Sequence, residues 1–116
     1  MKPVTMLHNP RCSKSRATLA LLESRGIEPR IVDYQTEAPS IEELDSILNM
    51  LGMQPLELMR KGEPEYDSLG LANPDLSRAE LLAALHANPR LIERPIVIHD
   101  GKAAIGRPPE AVLAIL

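Results

Sequence analysis

This chain of 116 residues carries 13 basic and 16 acidic side chains, and its formal net charge of −3 argues against nucleic acid as its partner. It has no tryptophan, no phenylalanine and two tyrosines, so we expect an aliphatic core without the base-stacking aromatics of RNA-binding sheets. Its single cysteine permits no internal disulfide, which suits the reducing cytoplasm. No stretch approaches the roughly 20 apolar residues that span a bilayer, so we expect no membrane partner.

The N-terminal third of the chain predicts a βαβ unit. Its expected parts are a strand over residues 4–8, a helix that ends at about residue 25 and a strand over residues 28–34. Ser13 or Ser15 can cap the helix at its start, and Gly26 can supply the left-handed residue after its end. The two strands of such a unit are parallel, and the crossover between them is right-handed.

The middle of the chain, at about residues 40–90, predicts a helical insertion. Ser40 and Ser77 each stand three positions before a glutamate, which is the spacing of a capping box at a helix start. The first of these helices should end at Gly52, and a short helix should follow over residues 55–61. Residues 62–75 receive no assignment, because glycine and proline interrupt any pattern there.

The C-terminal part of the chain predicts a β-hairpin and a final helix. Asp100-Gly101 is a two-residue hairpin turn signal between apolar runs at residues 95–99 and 102–105, and a short apolar helix follows over residues 110–116. Together with the βαβ unit, this order predicts an α/β fold of the thioredoxin-like kind. We expect a mixed four-stranded sheet flanked by helices, with the insertion between the βαβ and ββα units, in one domain over residues 1–116.

Cys12 is the first candidate for chemistry, because it stands between the first strand and the first helix. The unpaired N–H groups at a helix start favour an anion, so a thiol held there ionises readily. Arg11, Lys14 and Arg16 lie within four positions and favour the thiolate as well. His8, at the end of the strand, can assist that ionisation. A buried structural cysteine would have apolar neighbours, so we interpret Cys12 as a reactive thiolate.

The Cys12-x-x-Ser15 spacing is that of a dithiol redox motif whose second cysteine is replaced. Any disulfide that Cys12 forms must therefore be with another molecule. A loop of the tyrosine phosphatase type would need an arginine six positions after the cysteine, where this chain has Thr18.

Three arginines stand at element boundaries and can bind an oxyanion through their planar fork of donors. They are Arg60, Arg94 and Arg107. A surface charge is the simpler interpretation of each, and Arg60 also suits a helix C-terminus. In a thioredoxin-like fold, however, the residue at the position of Arg94 faces the nucleophile across a proline, here Pro95, whose bond is commonly cis. The three histidines lie on separate elements without zinc-ligand spacing, so we expect no bound metal.

Four short motifs along the chain point to a family. They are His8-Asn9-Pro10-x-Cys12-x-x-Ser15-Arg16, Leu58-Met59-Arg60, Arg94-Pro95-Ile96-Val97 and Arg107-Pro108-x-Glu110. Together they resemble the glutaredoxin-dependent arsenate reductases of the ArsC family. The resemblance implies that Cys12 attacks arsenate, that His8 helps to ionise the thiol, and that Arg60, Arg94 and Arg107 hold the oxyanion. It also places Ser15 in the catalytic set, with Arg16 and Pro95 as supporting residues.

The same resemblance implies that glutathione is the co-substrate and glutaredoxin the protein partner, with no tightly bound cofactor. We therefore expect an arsenate reductase-like thiol oxidoreductase, acting on arsenate or a similar small oxyanion. The alternative hypothesis is an ArsC-like redox-sensing or partner-binding protein that forms mixed disulfides at Cys12. Transcription regulators of the Spx branch share the fold but usually carry Cys-x-x-Cys, where this chain has Ser15.

Overall fold

The computed structural model describes residues 3–116, which form two compact units. The first unit runs to Glu37 and resumes at Arg94, and the second is Ala38–Glu93. The second unit matches the stretch predicted as a helical insertion. The prediction that both belong to one domain stays a prediction. Within residues 3–116, no helix combines the length and the apolar character needed to cross a membrane.

A mixed four-stranded sheet forms the first unit, in the order β2-β1-β3-β4. Its elements are β1 (Val4–Leu7), α1 (Ser13–Ser24), β2 (Arg30–Val32), β3 (Ile96–His99), β4 (Lys102–Ile105) and a 3₁₀-helix (Pro109–Ile115). β1 pairs in parallel with β2 and antiparallel with β3, and β3 pairs antiparallel with β4. This confirms the predicted thioredoxin-like sheet. The hairpin turn is also confirmed, since Asp100 and Gly101 have φ angles of 50° and 74°.

Aliphatic side chains from one face of the sheet, from α1 and from the C-terminal 3₁₀-helix form the core of this unit. Those with the least exposure are Met6, Leu22, Val97 and Val112, each at 0%. Because residues two apart on a strand share a face, Val4 joins Met6 in the same cluster. The core fixes α1 against the sheet, and it thereby fixes the loop that enters α1.

Several boundaries in this unit differ from the predicted ones, and two of them, the end of β1 at Leu7 and the start of β3 at Ile96, differ by one residue. Ser13 and Ser15 do not cap α1, because Cys12 is the N-cap, with extended φ and ψ of −96° and 125°. β2 is shorter than residues 28–34, since the Asp33 carbonyl accepts hydrogen bonds from two later backbone N–H groups and starts a turn. The final helix is a 3₁₀-helix that begins at Pro109, with backbone bonds such as that from the Ala111 N–H to the Pro108 carbonyl.

Short helices make up the second unit. They are α2 (Ile41–Leu51), α3 (Pro55–Leu58), α4 (Pro64–Ser68), α5 (Arg78–Ala87) and a 3₁₀ turn (Pro89–Leu91). The capping boxes at Ser40 and Ser77 are confirmed, and Gly52 ends α2 with a φ of 68°. α3 ends before the predicted residue 61, because Met59 is extended and forms a bridge with Ile92. α4 lies in the stretch that had no assignment.

We predict that Ser40→Ala lowers the free energy of unfolding by about 1 kcal/mol. The Ser40 hydroxyl accepts a hydrogen bond from the Glu43 N–H at 3.1 Å, and the substitution leaves that donor unpaired at the start of α2. Urea denaturation measures the change. Ser46→Ala is the matched control, because Ser46 is exposed inside the same helix, where alanine stabilises by up to about 0.5 kcal/mol. Equal effects of the two substitutions would contradict the role of the cap.

Candidate active site

The loop after β1 holds Cys12 at the start of α1. The Cys12 N–H donates to the Asn9 carbonyl at 3.0 Å, and the Cys12 carbonyl accepts from the Arg16 N–H at 3.0 Å. The first bond closes a turn and the second begins the helix, so the backbone of Cys12 is fixed on both sides. Its half-buried thiol meets the backbone N–H groups of Lys14 and Ser15. The structure thus places the single cysteine at a helix N-terminus.

The pKa of Cys12 lies below the ordinary value for a thiol. Burial of the sulfur raises the pKa, and this is the largest single influence. It is outweighed by the sum of four groups that favour the thiolate: the backbone N–H of Ser15, a hydrogen bond from the Arg94 side chain, the backbone N–H of Lys14 and the charge of Arg107. The sulfur is therefore partly shielded from water and surrounded by positive groups, and it ionises more readily than a free thiol.

The Arg107 guanidinium bridges two distant parts of the chain. Its Nε donates to the Arg94 carbonyl at 2.7 Å, and its Nη2 lies 3.5 Å from the Cys12 Sγ. The carbonyl contact orients the planar fork toward the sulfur. The structure therefore brings together three of the residues that the sequence singled out, Cys12, Arg94 and Arg107.

Two proline bonds flank these arginines. The Arg94–Pro95 and Arg107–Pro108 peptide bonds are both cis. The Pro95 carbonyl accepts a hydrogen bond from the Gly106 N–H at 2.9 Å, which ties the residues around Arg94 to the residues before Arg107. Both arginines thus project from one hydrogen-bonded corner beside the hairpin.

Gly106 is a site residue that the sequence did not reveal. A Cβ at this position would lie 2.4 Å from Thr18 Oγ1 and 2.8 Å from Pro95 Cγ. Thr18 is fully buried in α1, and its hydroxyl donates to the Lys14 carbonyl at 2.8 Å. The absence of a side chain at Gly106 is what allows the arginine-bearing corner to approach the first turns of α1. The only signal in the sequence is a glycine directly before Arg107.

His8 contacts Ser15 rather than the thiol. His8 Nδ1 lies 2.6 Å from Ser15 Oγ, and the same oxygen accepts a hydrogen bond from the Asn9 N–H at 3.0 Å. Nδ1 is the only acceptor of the Ser15 proton among the described hydrogen bonds, which assigns the ring proton of His8 to Nε2. No hydrogen bond joins His8 to Cys12 within residues 3–116. His8 therefore acts on the first turn of α1 through Ser15.

The pKa of His8 is lowered from its ordinary value. Burial of the imidazole is the cause, because it disfavours the charged ring, and the carboxylate of Asp33 opposes it more weakly. His8 is 8% exposed and Ser15 is 0% exposed, so their hydrogen bond lies inside the protein. A neutral ring suits this arrangement, since it leaves Nδ1 able to accept the Ser15 proton.

Arg16 and Arg60 have partners of their own. Arg16 Nη1 donates to the Pro10 carbonyl at 3.1 Å, so this side chain supports the loop that precedes Cys12. Arg60 belongs to the second unit, where its guanidinium pairs with Glu63 at 2.9 Å and with Glu93 at 3.7 Å. The two carboxylates hold the Arg60 side chain, and its predicted role toward an oxyanion stays a prediction.

The other two histidines bind backbone carbonyls. His86 Nδ1 is 2.7 Å from the Pro39 oxygen, and His99 Nδ1 is 2.7 Å from the Ile115 oxygen. A carbonyl only accepts, so both rings carry a proton on Nδ1. Across residues 3–116, no three histidine, cysteine or acidic side chains gather as metal ligands would.

Known proteins resemble this chain over nearly their whole length. Residues 7–115 match the profile of the ArsC family. An arsenate reductase of Haemophilus influenzae is 54% identical over 114 residues, covering 97% of this chain and 98% of the relative. Another, from Neisseria meningitidis serogroup A, is 48% identical over 117 residues and covers both chains fully. The solved structure of an arsenate reductase from Vibrio cholerae has a TM-score of 0.97 at 48% identity, covering 99% of this chain and 98% of that chain.

We predict that Cys12 is alkylated at a lower pH than a free thiol, and that Arg107→Gln moves its titration to higher pH. Arg107 favours the thiolate, so removing its charge raises the pKa of Cys12. The rate of iodoacetamide labelling as a function of pH measures both effects. Arg25→Gln is the control, since Arg25 is exposed at the opposite end of α1. An unchanged titration in Arg107→Gln would contradict the assigned contact.

We predict that Gly106→Ala destabilises the protein by about 1–3 kcal/mol and raises the pKa of Cys12. The added methyl group overlaps Thr18 and Pro95, so the corner must move and carry Arg107 away from the sulfur. Gly62→Ala is the matched control, because nothing lies within 4 Å of a Cβ at Gly62. Urea denaturation and pH-dependent alkylation measure the two effects. A variant as stable as the Gly62→Ala protein, with an unshifted thiol, would contradict the positioning role of Gly106.

Proposed function

The chain belongs to the ArsC family, and we propose that it is an arsenate reductase whose nucleophile is the Cys12 thiolate. One observation carries this proposal: the only sulfur that can serve as nucleophile lies at the start of α1, 3.5 Å from the Arg107 guanidinium, with its pKa lowered. The names of the relatives support arsenate as the substrate.

Arsenate is a tetrahedral oxyanion, and the groups around Cys12 suit such a ligand. The forks of Arg94 and Arg107 can donate to two oxygens, while the N–H groups at the start of α1 favour negative charge. In the first step the Cys12 thiolate attacks arsenic and an S–As bond forms. One As–O bond breaks, and its oxygen leaves as water after taking protons. Arsenic stays in the +5 state through this step.

Reduction needs a second thiol, because the chain has only one cysteine. In our proposal a glutathione thiolate attacks the Cys12 sulfur and forms an S–S bond. The electron pair of the S–As bond passes to arsenic, which leaves as arsenite in the +3 state. Two sulfur atoms are thus oxidised to one disulfide while arsenic gains two electrons. A glutaredoxin thiol then attacks the glutathione sulfur and releases the Cys12 thiolate.

The low pKa of Cys12 favours both the first step and the last step of this cycle. A thiolate is required for the attack on arsenic, and a thiol of low pKa is a better leaving group when glutaredoxin cleaves the mixed disulfide. His8 and Ser15 serve in this scheme as positioning residues for the first turn of α1. The family resemblance adds Arg60 to the oxyanion donors, and that role is part of the proposal.

We predict arsenate-dependent NADPH oxidation by the purified protein when glutathione, glutaredoxin and glutathione reductase are present. Cys12→Ser should reduce this rate to background, because serine cannot form the sulfur bonds of either step. Arg25→Gln, at the far end of α1, should retain the rate of the unchanged protein. A Cys12→Ser protein that still turns over arsenate would contradict the mechanism.

The same experiment distinguishes the proposed arsenate reductase from the alternative hypothesis. A protein that forms a glutathione adduct at Cys12 without arsenate, and that never turns over arsenate, would favour a redox-sensing or partner-binding role. Mass spectrometry of the intact protein detects the adduct, and the NADPH assay detects turnover.

A further inference from the structure

A polar cleft of about 200 Å³ lies beside the loop that carries Cys12. Its walls come from the segment after β1 and the segment after β2: Asn9, Pro10, Arg11, Asp33, Gln35 and Thr36. β1 and β2 are parallel neighbours, so both segments leave the same edge of the sheet. Neither Arg94 nor Arg107 lines this cleft, so it is separate from the oxyanion donors.

The cleft presents one positive and one negative side chain that do not pair with each other. The exposed guanidinium of Arg11 makes no hydrogen bond or ion pair with any residue from 3 to 116. Among the same residues, the half-buried carboxylate of Asp33 accepts a hydrogen bond only from the Gln35 N–H, at 3.3 Å. The Asp33 carboxylate is also close enough to His8 for its charge to act on the pKa of that ring. A ligand with both an anionic and a cationic group can satisfy Arg11 and Asp33 together.

We propose that this cleft binds the zwitterionic amino-acid end of the thiol reductant, the γ-glutamyl group of glutathione. The α-carboxylate of that group would pair with Arg11 and its α-ammonium with Asp33, while Gln35 and Thr36 offer further polar contacts. The inference rests on the proposed function, in which an external thiol must reach Cys12.

The size and position of the cleft favour this ligand. A volume of about 200 Å³ accommodates one amino-acid unit, not the whole tripeptide. The rest of the tripeptide must therefore lie outside the cleft. Arg11 directly precedes Cys12, so a ligand anchored on Arg11 binds to the same loop that carries the nucleophile.

S-methylglutathione, which cannot react, tests the cleft without any arsenate chemistry. We expect it to shift the amide NMR signals of the segments after β1 and β2 in the Cys12→Ser protein. Adding Arg11→Gln or Asp33→Asn should weaken its Kd about tenfold, because each removes a charge-assisted contact. Arg25→Gln in the same background is the control and should leave Kd unchanged. Equal Kd values in the Cys12→Ser protein and its three double variants would overturn the inference. So would NMR shifts confined to residues outside the two segments.

A ligand without the ammonium sharpens the test. N-acetyl-S-methylglutathione should bind the Cys12→Ser protein about tenfold more weakly, and Asp33→Asn should weaken it no further, because both changes remove the same ion pair. Additive losses would overturn the assigned pairing. Charge-dependent binding without arsenate turnover would support the cleft and contradict the proposed function. Arsenate turnover without binding at the cleft would support the proposed function and overturn the inference about the cleft.

Discussion

The contact of the Arg107 guanidinium with both the Arg94 carbonyl and the Cys12 sulfur is the interaction on which the candidate site depends. It requires the β3–β4 hairpin, which brings Arg107 back beside Arg94. It also requires the antiparallel pairing of β1 with β3, which sets Leu7 opposite Ile96 and so brings the loop before Cys12 to the same end of the sheet. Burial raises the pKa of the Cys12 thiol, and Arg94 and Arg107 are two of the four groups that outweigh this effect. Sheet topology and thiol chemistry are therefore linked.

Ser15 shows how a position typical of a second redox cysteine can serve another purpose. Its hydroxyl accepts from the Asn9 N–H and contacts the His8 ring, and it is completely buried. A buried hydroxyl without these partners would cost about 1–3 kcal/mol. The side chain thus holds the end of β1 against the first turn of α1. These contacts hold the loop before Cys12 in place, and with one cysteine the chain has no second thiol that could resolve an oxidised Cys12.

Features set by local rules could be predicted from the sequence, and features set by distant contacts could not. The Asp100-Gly101 turn and the cap at Ser40 follow from φ preferences and from short hydrogen bonds, so both were predicted correctly. The cap of α1 was predicted wrongly, because the helix begins at Ser13 after an extended Cys12, so that both Ser13 and Ser15 lie inside it. Gly106 was missed because its role depends on contacts with Thr18 and Pro95, which lie far away in the sequence. Arg94 and Arg107 were singled out because each stands at an element boundary beside a proline, and the family resemblance then implied their role, but their contacts with Cys12 came only from the fold.

The position of Arg107 beside the sulfur has a thermodynamic consequence for any anion that enters the site. Arg94, Arg107 and the N–H groups at the start of α1 stabilise the Cys12 thiolate. In the proposed function the same groups would hold the oxyanion, so the thiolate and the bound anion would compete for the same positive charges. An anion bound at Arg107 therefore raises the pKa of Cys12, and by reciprocity, protonation of the thiol strengthens anion binding. Unreactive anions such as sulfate then act in two ways, by occupying the site and by returning the nucleophile to its protonated form. Tighter anion binding thus lowers the fraction of Cys12 that is ionised. An enzyme using this site must bind its anion without losing the thiolate.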